Sequence, residues 1–256
     1  MSVLPDDLGR PVDVPASVRR VVSLVPSLTE AVAVTAPGLL VGATAWCSHP
    51  GELDVVRVAG TKNPDVAGVV GLRPDLVLAN AEENRAVDLE ALRAAGCAVW
   101  TTAPQTVDEA LGSLHRMLAA CRLDRPGWLD EADAVWADLP PGRPAQRTAV
   151  VPVWRRPWMA VGRDTFAGDV LRRLGVANAL AGSPDRYPKV RLEDLPPHDL
   201  VVLPDEPYAF TADDGPEAFP GVPAALVSGR ALTWYGPSLV TAPDELGRRL
   251  PVGGPR

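Results

Sequence analysis

Two stretches far apart in this chain repeat one design: "LRPDLVLANAEE" over residues 72–83 and "PPHDLVVLPDEP" over residues 196–207. Each sets an aspartate ahead of an apolar run, and each run leaves into a polar, acidic loop. A short continuous apolar run suits a strand buried on both faces, as in a parallel sheet covered by helices. Having the pattern twice predicts two α/β lobes. Ligands of open α/β sheets bind at loops leaving the carboxyl ends of strands. Asn80, Glu82, Asp205, Glu206 and Tyr208 lie on such loops.

The rest of the chain fills in the same alternation. Residues 21–25 read as a buried strand ending at Pro26, and Ser27 to Glu30 has capping-box spacing for a helix to about residue 34. Asn63-Pro64-Asp65 reads as a helix start with proline in the first turn. Residues 76–79 and 98–101 read as strands, and 88–95 as a helix closed by Gly96. Thr106 to Glu109 is a second capping box. Behind it Val107, Ala110, Leu111, Leu114, Met117, Leu118 and Cys121 recur at helical spacing, which assigns Cys121 to a core and His115 to the surface. A polar helix is predicted over residues 126–139, and PPGRPAQR marks a boundary. A strand over 149–153, a loop WRRPWMAVGRDT, a helix carrying Phe166, Val170, Leu171 and Leu174, a strand over 200–203 and a last helix over 237–250 follow. The expected organisation is a first lobe over residues 1–124, a helical connector over 125–146, and a second lobe over 147–256. The connector, about 20 Å at helical rise, has its proline at the start and is expected to resist bending.

The net charge of −7 argues against nucleic acid, whose phosphates call for a basic surface. Three widely spaced cysteines give no disulfide framework and fit a reducing compartment. The N-terminal stretch carries Asp6, Asp7, Asp13 and three prolines, without a basic segment leading into an apolar one. That predicts a cytoplasmic protein, or an extracytoplasmic one if a leader was removed, and no stretch is apolar enough to span a membrane.

Motifs of catalysis are sparse. The sequence holds no GxSxG, P-loop, GxGxxG or HExxH pattern. "TAWCSHP" places Trp46, Cys47 and His49 together and admits three readings: a Cys47–His49 dyad, a metal site, or the wall of a pocket. Zinc would need three or four ligands, and only His115, His198, Cys97 and Cys121 remain, at no recognisable spacing. The aromatic residues say more. Trp46, Trp154, Trp158 and Trp234 fall in predicted loops or at strand ends with Tyr208, Phe210 and Tyr235, and Trp154 and Trp158 flank Arg155 and Arg156. Such a set suits a large, flat, partly apolar ligand.

"RVVSLVPSLTEAV", "LVGATAWCSHP", "GTKNPDV", "LRPDLVLANAEENR", "PWMAVGRDTFAGDVLRRLGVANAL" and "LTWYGP" occur in that order over most of the chain. Together they resemble the substrate-binding proteins of ABC importers for vitamin B12 and iron chelates, nearest the cobalamin-binding branch. The resemblance implies a class III periplasmic-binding-protein-like fold: two Rossmann-like lobes joined by a rigid helical connector, with ligand in the cleft and no catalysis. On it, Pro26, Trp46, His49, Asn80 and Glu82 of the first lobe would face the ligand. Trp158 would do so from the second, with Trp234 and Tyr235 closing the far side; Tyr208 joins the expected ligand residues from its loop and its ring. The implied ligand is cobalamin or a related metal chelate, held noncovalently, with no structural metal. Permease docking in this class uses an acid on each lobe. Glu193 or Asp194 could serve in the second, but residues 65–68 offer no glutamate after the aspartate. That and the N-terminal stretch predict a cytoplasmic relative that binds ligand without feeding a transporter. The alternatives are an exported importer component for iron-siderophore or haem, working with an ABC permease, and a cytoplasmic enzyme using Cys47 and His49.

Overall fold

Valine-rich runs build two parallel sheets in the computed structural model, which describes residues 2–252; the outer limits of the expected lobes, 1 and 256, lie outside those residues. The chain divides into two units. Unit 1 comprises Met1–Pro104, Glu109–Asp130 and Tyr235–Pro237, and unit 2 comprises Gln105–Asp108, Glu131–Trp234 and Ser238–Arg256.

Unit 1 opens with a hairpin of β1 (Ser2–Pro5) and β2 (Pro11–Val14). Its turn is tied down by acids: Asp6 accepts the amides of Leu8 and Arg10, and Asp7 accepts the amide of Ala103 and the guanidinium of Arg116. Then come β3 (Val21–Ser23), α1 (Pro26–Thr35), β4 (Leu40–Ala43) and β5 (Val56–Arg57). A small ladder of β6 (Ala59–Gly60) and β7 (Asn63–Pro64) leads to α2 (Val66–Gly71), β8 (Leu76–Asn80), α3 (Ala86–Ala94), β9 (Val99–Thr102) and α4 (Val107–Ala120). The parallel sheet runs β5-β4-β3-β8-β9. Val22, Leu24, Val58, Val69, Val77, Ala79, Leu89, Leu92 and Val99 form one buried cluster beside it. Each larger side chain there contributes about 1.5–3 kcal/mol by leaving water.

After α5 (Gly127–Ala137), unit 2 holds β10 (Arg147–Val150), β11 (Pro152–Arg155), β12 (Trp158–Ala160), α6 (Phe166–Arg173), β13 (Val176–Asn178), β14 (Leu200–Pro204), β15 (Ala224–Val227), α7 (Gly229–Thr233) and α8 (Ala242–Gly247). Its parallel sheet runs β13-β10-β14-β15. Counting without β5, which extends the unit 1 sheet beyond β4, the first strand in both units lies between the second and the third, with the fourth outside the third. The two repeated stretches are therefore equivalent strands. With β5 left aside, β8 and β14 are each third in their sheet, and both are buried at all five positions.

Several local expectations change. Pro26 opens α1, the cap position is Val25 without a side-chain bond, and Ser27 is already helical, so no capping box forms there. The strand before it ends at Ser23. Asp65 caps α2 by accepting the Gly68 amide at 3.0 Å, while Pro64 belongs to β7. α5 is not polar all round: Leu129, Ala132 and Trp136 are buried, and Trp136 donates to the Leu239 carbonyl at 2.9 Å. The expected loop WRRPWMAV is the β11–β12 hairpin, with Arg155 opposite Trp158. The last helix is broken into a 3-10 turn, Pro237–Val240, and α8.

Candidate functional site

A sheet of this order has its topological switch between the first and third strands, where ligand crevices form at the carboxyl ends. In unit 1 that point lies between the start of α1 and the loop after β8. Asn80, at the end of β8, organises it. Its Nδ2 donates to Tyr235 Oη at 2.6 Å and to the Thr102 carbonyl at 3.1 Å, while its Oδ1 accepts the amides of Glu82 (2.8 Å) and Glu83 (3.0 Å). Asn84 closes the far side of the loop, accepting the Asn80 amide and donating to the Leu24 and Thr61 carbonyls. Asn80 is buried and its amide is occupied by the protein, so it shapes the loop. Glu82 and Pro26 are half-buried, and Lys62 donates to the Glu82 carbonyl. Glu83 keeps contact with solvent, yet surrounding protein desolvates its carboxyl and pushes it up, with Lys62 pulling the other way. Tyr235 is buried, and desolvation raises its phenol far above the ordinary value despite hydrogen bonds from its neighbours.

"TAWCSHP" follows β4 at the same edge, and its side chains separate. Cys47 is fully buried, with Sγ 3.0 Å from Thr29 Oγ1 and 3.2 Å from Thr44 Oγ1. His49 is exposed, its Nδ1 3.1 Å from Ser48 Oγ. Trp46 is 71% exposed. Among the described residues no group of three or more His, Cys, Asp or Glu side chains is arranged to hold a metal.

In unit 2 the β11–β12 hairpin follows the first strand directly and so stands at the carboxyl edge, as does the loop after β14. Rings join the two. Trp158 stacks on Phe210 (centroids 6.0 Å apart, planes 4° apart) and meets Phe219 edge-on at 5.5 Å. Tyr208 meets Trp154 edge-on at 5.7 Å and lies 4.7 Å from Phe210. Tyr208 Oη donates to Asp214 at 2.6 Å. Arg155 lies 5.4 Å over the Trp158 ring and pairs with Asp214 and Glu217. The Gly215 amide, then Arg155, hold the Glu217 carboxyl below its usual range. Arg156, at the hairpin tip, is exposed and has no hydrogen bond or ion pair among the described residues. It lines a groove of about 570 Å³ with Arg155, Pro157, Trp158, Val190, Arg191, Leu192 and the acidic Glu193.

A search of solved structures finds this architecture repeatedly. The periplasmic vitamin B12-binding protein BtuF of Vibrio cholerae superposes with a TM-score of 0.73 at 18% identity, over 92% of this chain and 97% of that one. The periplasmic haem-binding protein BhuT, solved with two haems, gives 0.68 at 25% identity, over 90% and 97%. The molybdate-binding protein MolA of Haemophilus influenzae gives 0.75 at 15%, over 97% and 90%. The fold is that of the periplasmic binding proteins of class III. No protein-family model matches the chain, and none of the curated proteins does. The resemblance read from the ordered motifs and the structural likeness point to the same group, and these neighbours are binding proteins. BtuF and BhuT are described as periplasmic, so the expected cytoplasmic placement finds no support in them. No described helix is long and apolar enough to cross a membrane.

Of the nine expected ligand residues, Pro26, Trp46, His49, Glu82, Trp158 and Tyr208 keep surface at the carboxyl edges. Asn80, Trp234 and Tyr235 are buried; Trp234 carries the Arg230 guanidinium 6.0 Å from its ring. Sequence reasoning missed Lys62 and Glu83, which had only a place beside the motif to mark them, and Arg57, which donates to loop carbonyls.

Proposed function

We propose that this protein binds a corrinoid or similar metal chelate without chemical conversion, using the carboxyl-edge loops of its sheets. The observation that carries the reading is Trp46. A tryptophan left 71% exposed at the edge where open α/β sheets bind ligands is surface that folding does not use and a flat ligand does. In unit 1 Pro26, His49 and Glu82 keep surface at the same carboxyl edge as Trp46, and in unit 2 Trp158 and Tyr208 offer ring surface at the corresponding edge. Cys47 packs. The location that goes with this reading is outside the cytoplasm, with an ABC permease as partner and Glu193, exposed and ion-paired to Arg191, as the second-unit acid for docking.

A second ligand class has its own support. Arg156, unpaired beside Trp158 in the groove, suits a chelate with carboxylate arms, as haem carries in its two propionates. Parallel titrations with cyanocobalamin and with haemin, followed by visible absorbance, separate the two. Trp46→Ala should weaken whichever binds by about 2–4 kcal/mol, the range of a binding hot spot. Arg156→Gln should weaken haemin alone. Normal binding by Trp46→Ala, or no binding of either chelate by the wild type, overturns the proposal.

A further inference from the structure

Trp46 stands on a segment, residues 44–55, with no helix or strand of its own. Something must fix its direction. The turn from Thr44 to Cys47 is closed by the Cys47 amide on the Thr44 carbonyl at 3.2 Å. Arg57 Nη1 donates to the carbonyls of Thr44 and Cys47, both at 3.0 Å, and Nη2 reaches the Leu53 carbonyl at 3.4 Å. One guanidinium thus brackets Ala45 and Trp46 and ties the rest of the segment to the same point. Beneath the bracket, Cys47 is locked between Thr29 and Thr44. A Cβ on Gly60 would lie 3.6 Å from Trp46 Nε1, so the chain passes close under the indole edge. Arg57 itself is exposed on the two-residue strand β5 and has no carboxylate partner among the described residues.

We propose that Arg57 is a positioning residue for ligand binding: it holds the turn that presents Trp46 and does not itself touch the ligand. The inference rests on Trp46 being a ligand contact. A planar guanidinium fork is suited to several carbonyls at once; lysine is a point charge on a flexible stem and does not reproduce the fork.

The test uses four proteins: wild type, Arg57→Lys, Trp46→Ala and the double variant, each labelled with 5-fluorotryptophan. The fluorine line lost in Trp46→Ala assigns Trp46 among the seven tryptophans. In Arg57→Lys that line should shift or broaden while the other six stay, which a general loss of structure would not produce. Cyanocobalamin or haemin affinity should fall about tenfold, equivalent to about 1.4 kcal/mol, and the fall should vanish in the Trp46→Ala background. An unmoved Trp46 line overturns the proposal, as does an equal loss of affinity in both backgrounds. If Trp46→Ala alone leaves binding intact, the ligand reading has failed, and the fluorine line still decides whether Arg57 sets the turn.

Discussion

Units 1 and 2 share a strand order but finish their carboxyl edges in different materials. Unit 1 uses polar scaffolding: Asn80 gathers two amides, a carbonyl and a phenol, Arg57 gathers three carbonyls, and Trp46 stands apart from both sets. Unit 2 uses rings: Trp154, Tyr208, Phe210, Trp158 and Phe219 touch in sequence, and Phe210 and Phe219 also belong to the buried cluster with Val201 and Leu203. Hydrogen bonds fix a loop without filling space, so the side chain they present can change while the unit remains whole. Stacked rings fix a loop by filling space, so its face and its core are one object.

The largest expected effect breaks that unity. Phe210→Ala should cost about 3–5 kcal/mol, the usual loss for a buried phenylalanine, read as a lowered denaturation midpoint, and should release the Trp158 side of the groove. A loss under about 1 kcal/mol would mean the rings merely touch. Tyr235→Phe probes the polar counterpart. It removes the oxygen that Asn80 meets at 2.6 Å and Thr102 at 3.0 Å; Thr102 keeps the Ala79 carbonyl and Asn80 the Thr102 carbonyl, so the cost is that of one buried Nδ2 proton without this partner, about 1–3 kcal/mol. A thermal melt matching the wild type would show that the Asn80 scaffold holds without it.

The smallest effect is one of sign. Glu217, in unit 2, has its carboxyl lowered in the folded protein. The stability it contributes is present above the unfolded carboxylate value and is lost as pH falls through the lowered folded value. Glu83, in unit 1, is raised by desolvation. Its charged form penalises the fold, so stability declines as pH rises through the raised value. Urea midpoints from about pH 3 to about pH 7 should therefore diverge. Glu217→Gln should flatten the acid limb, whereas Glu83→Gln should gain stability toward neutrality. The same direction in both variants would refute the contrast.

The architecture was legible because burial on both faces leaves a continuous apolar run, and β8 and β14 carry it with little else. The hairpin was not. Arg155, Arg156 and Pro157 interrupt the apolar pattern at its tip, and an aromatic pair on an exposed ladder reads the same as an aromatic pair on a loop. Trp234 and Tyr235 show the complementary difficulty, since residue type announces aromatic surface but not the face it turns to. Tyr235 is buried because a partner 155 residues earlier, Asn80, receives it. Arg57 left no trace in the sequence, because carbonyl acceptors are present at every residue and carry no motif. Pro26 overruled the capping signal at Ser27 by starting the helix two positions sooner.

That distance between Asn80 and Tyr235 bears on how the molecule is made. Unit 1 is not a contiguous block: Tyr235–Pro237 returns to it after nearly all of unit 2 has been threaded. A ribosome adding about 5–20 residues per second needs on the order of ten seconds to cover the gap, and through that interval Asn80 and Thr102 lack the phenol that completes them. Nascent unit 1 is thus a vessel with its last rivet missing. A message cut short anywhere before codon 235 yields a first half whose Asn80 and Thr102 never meet that phenol.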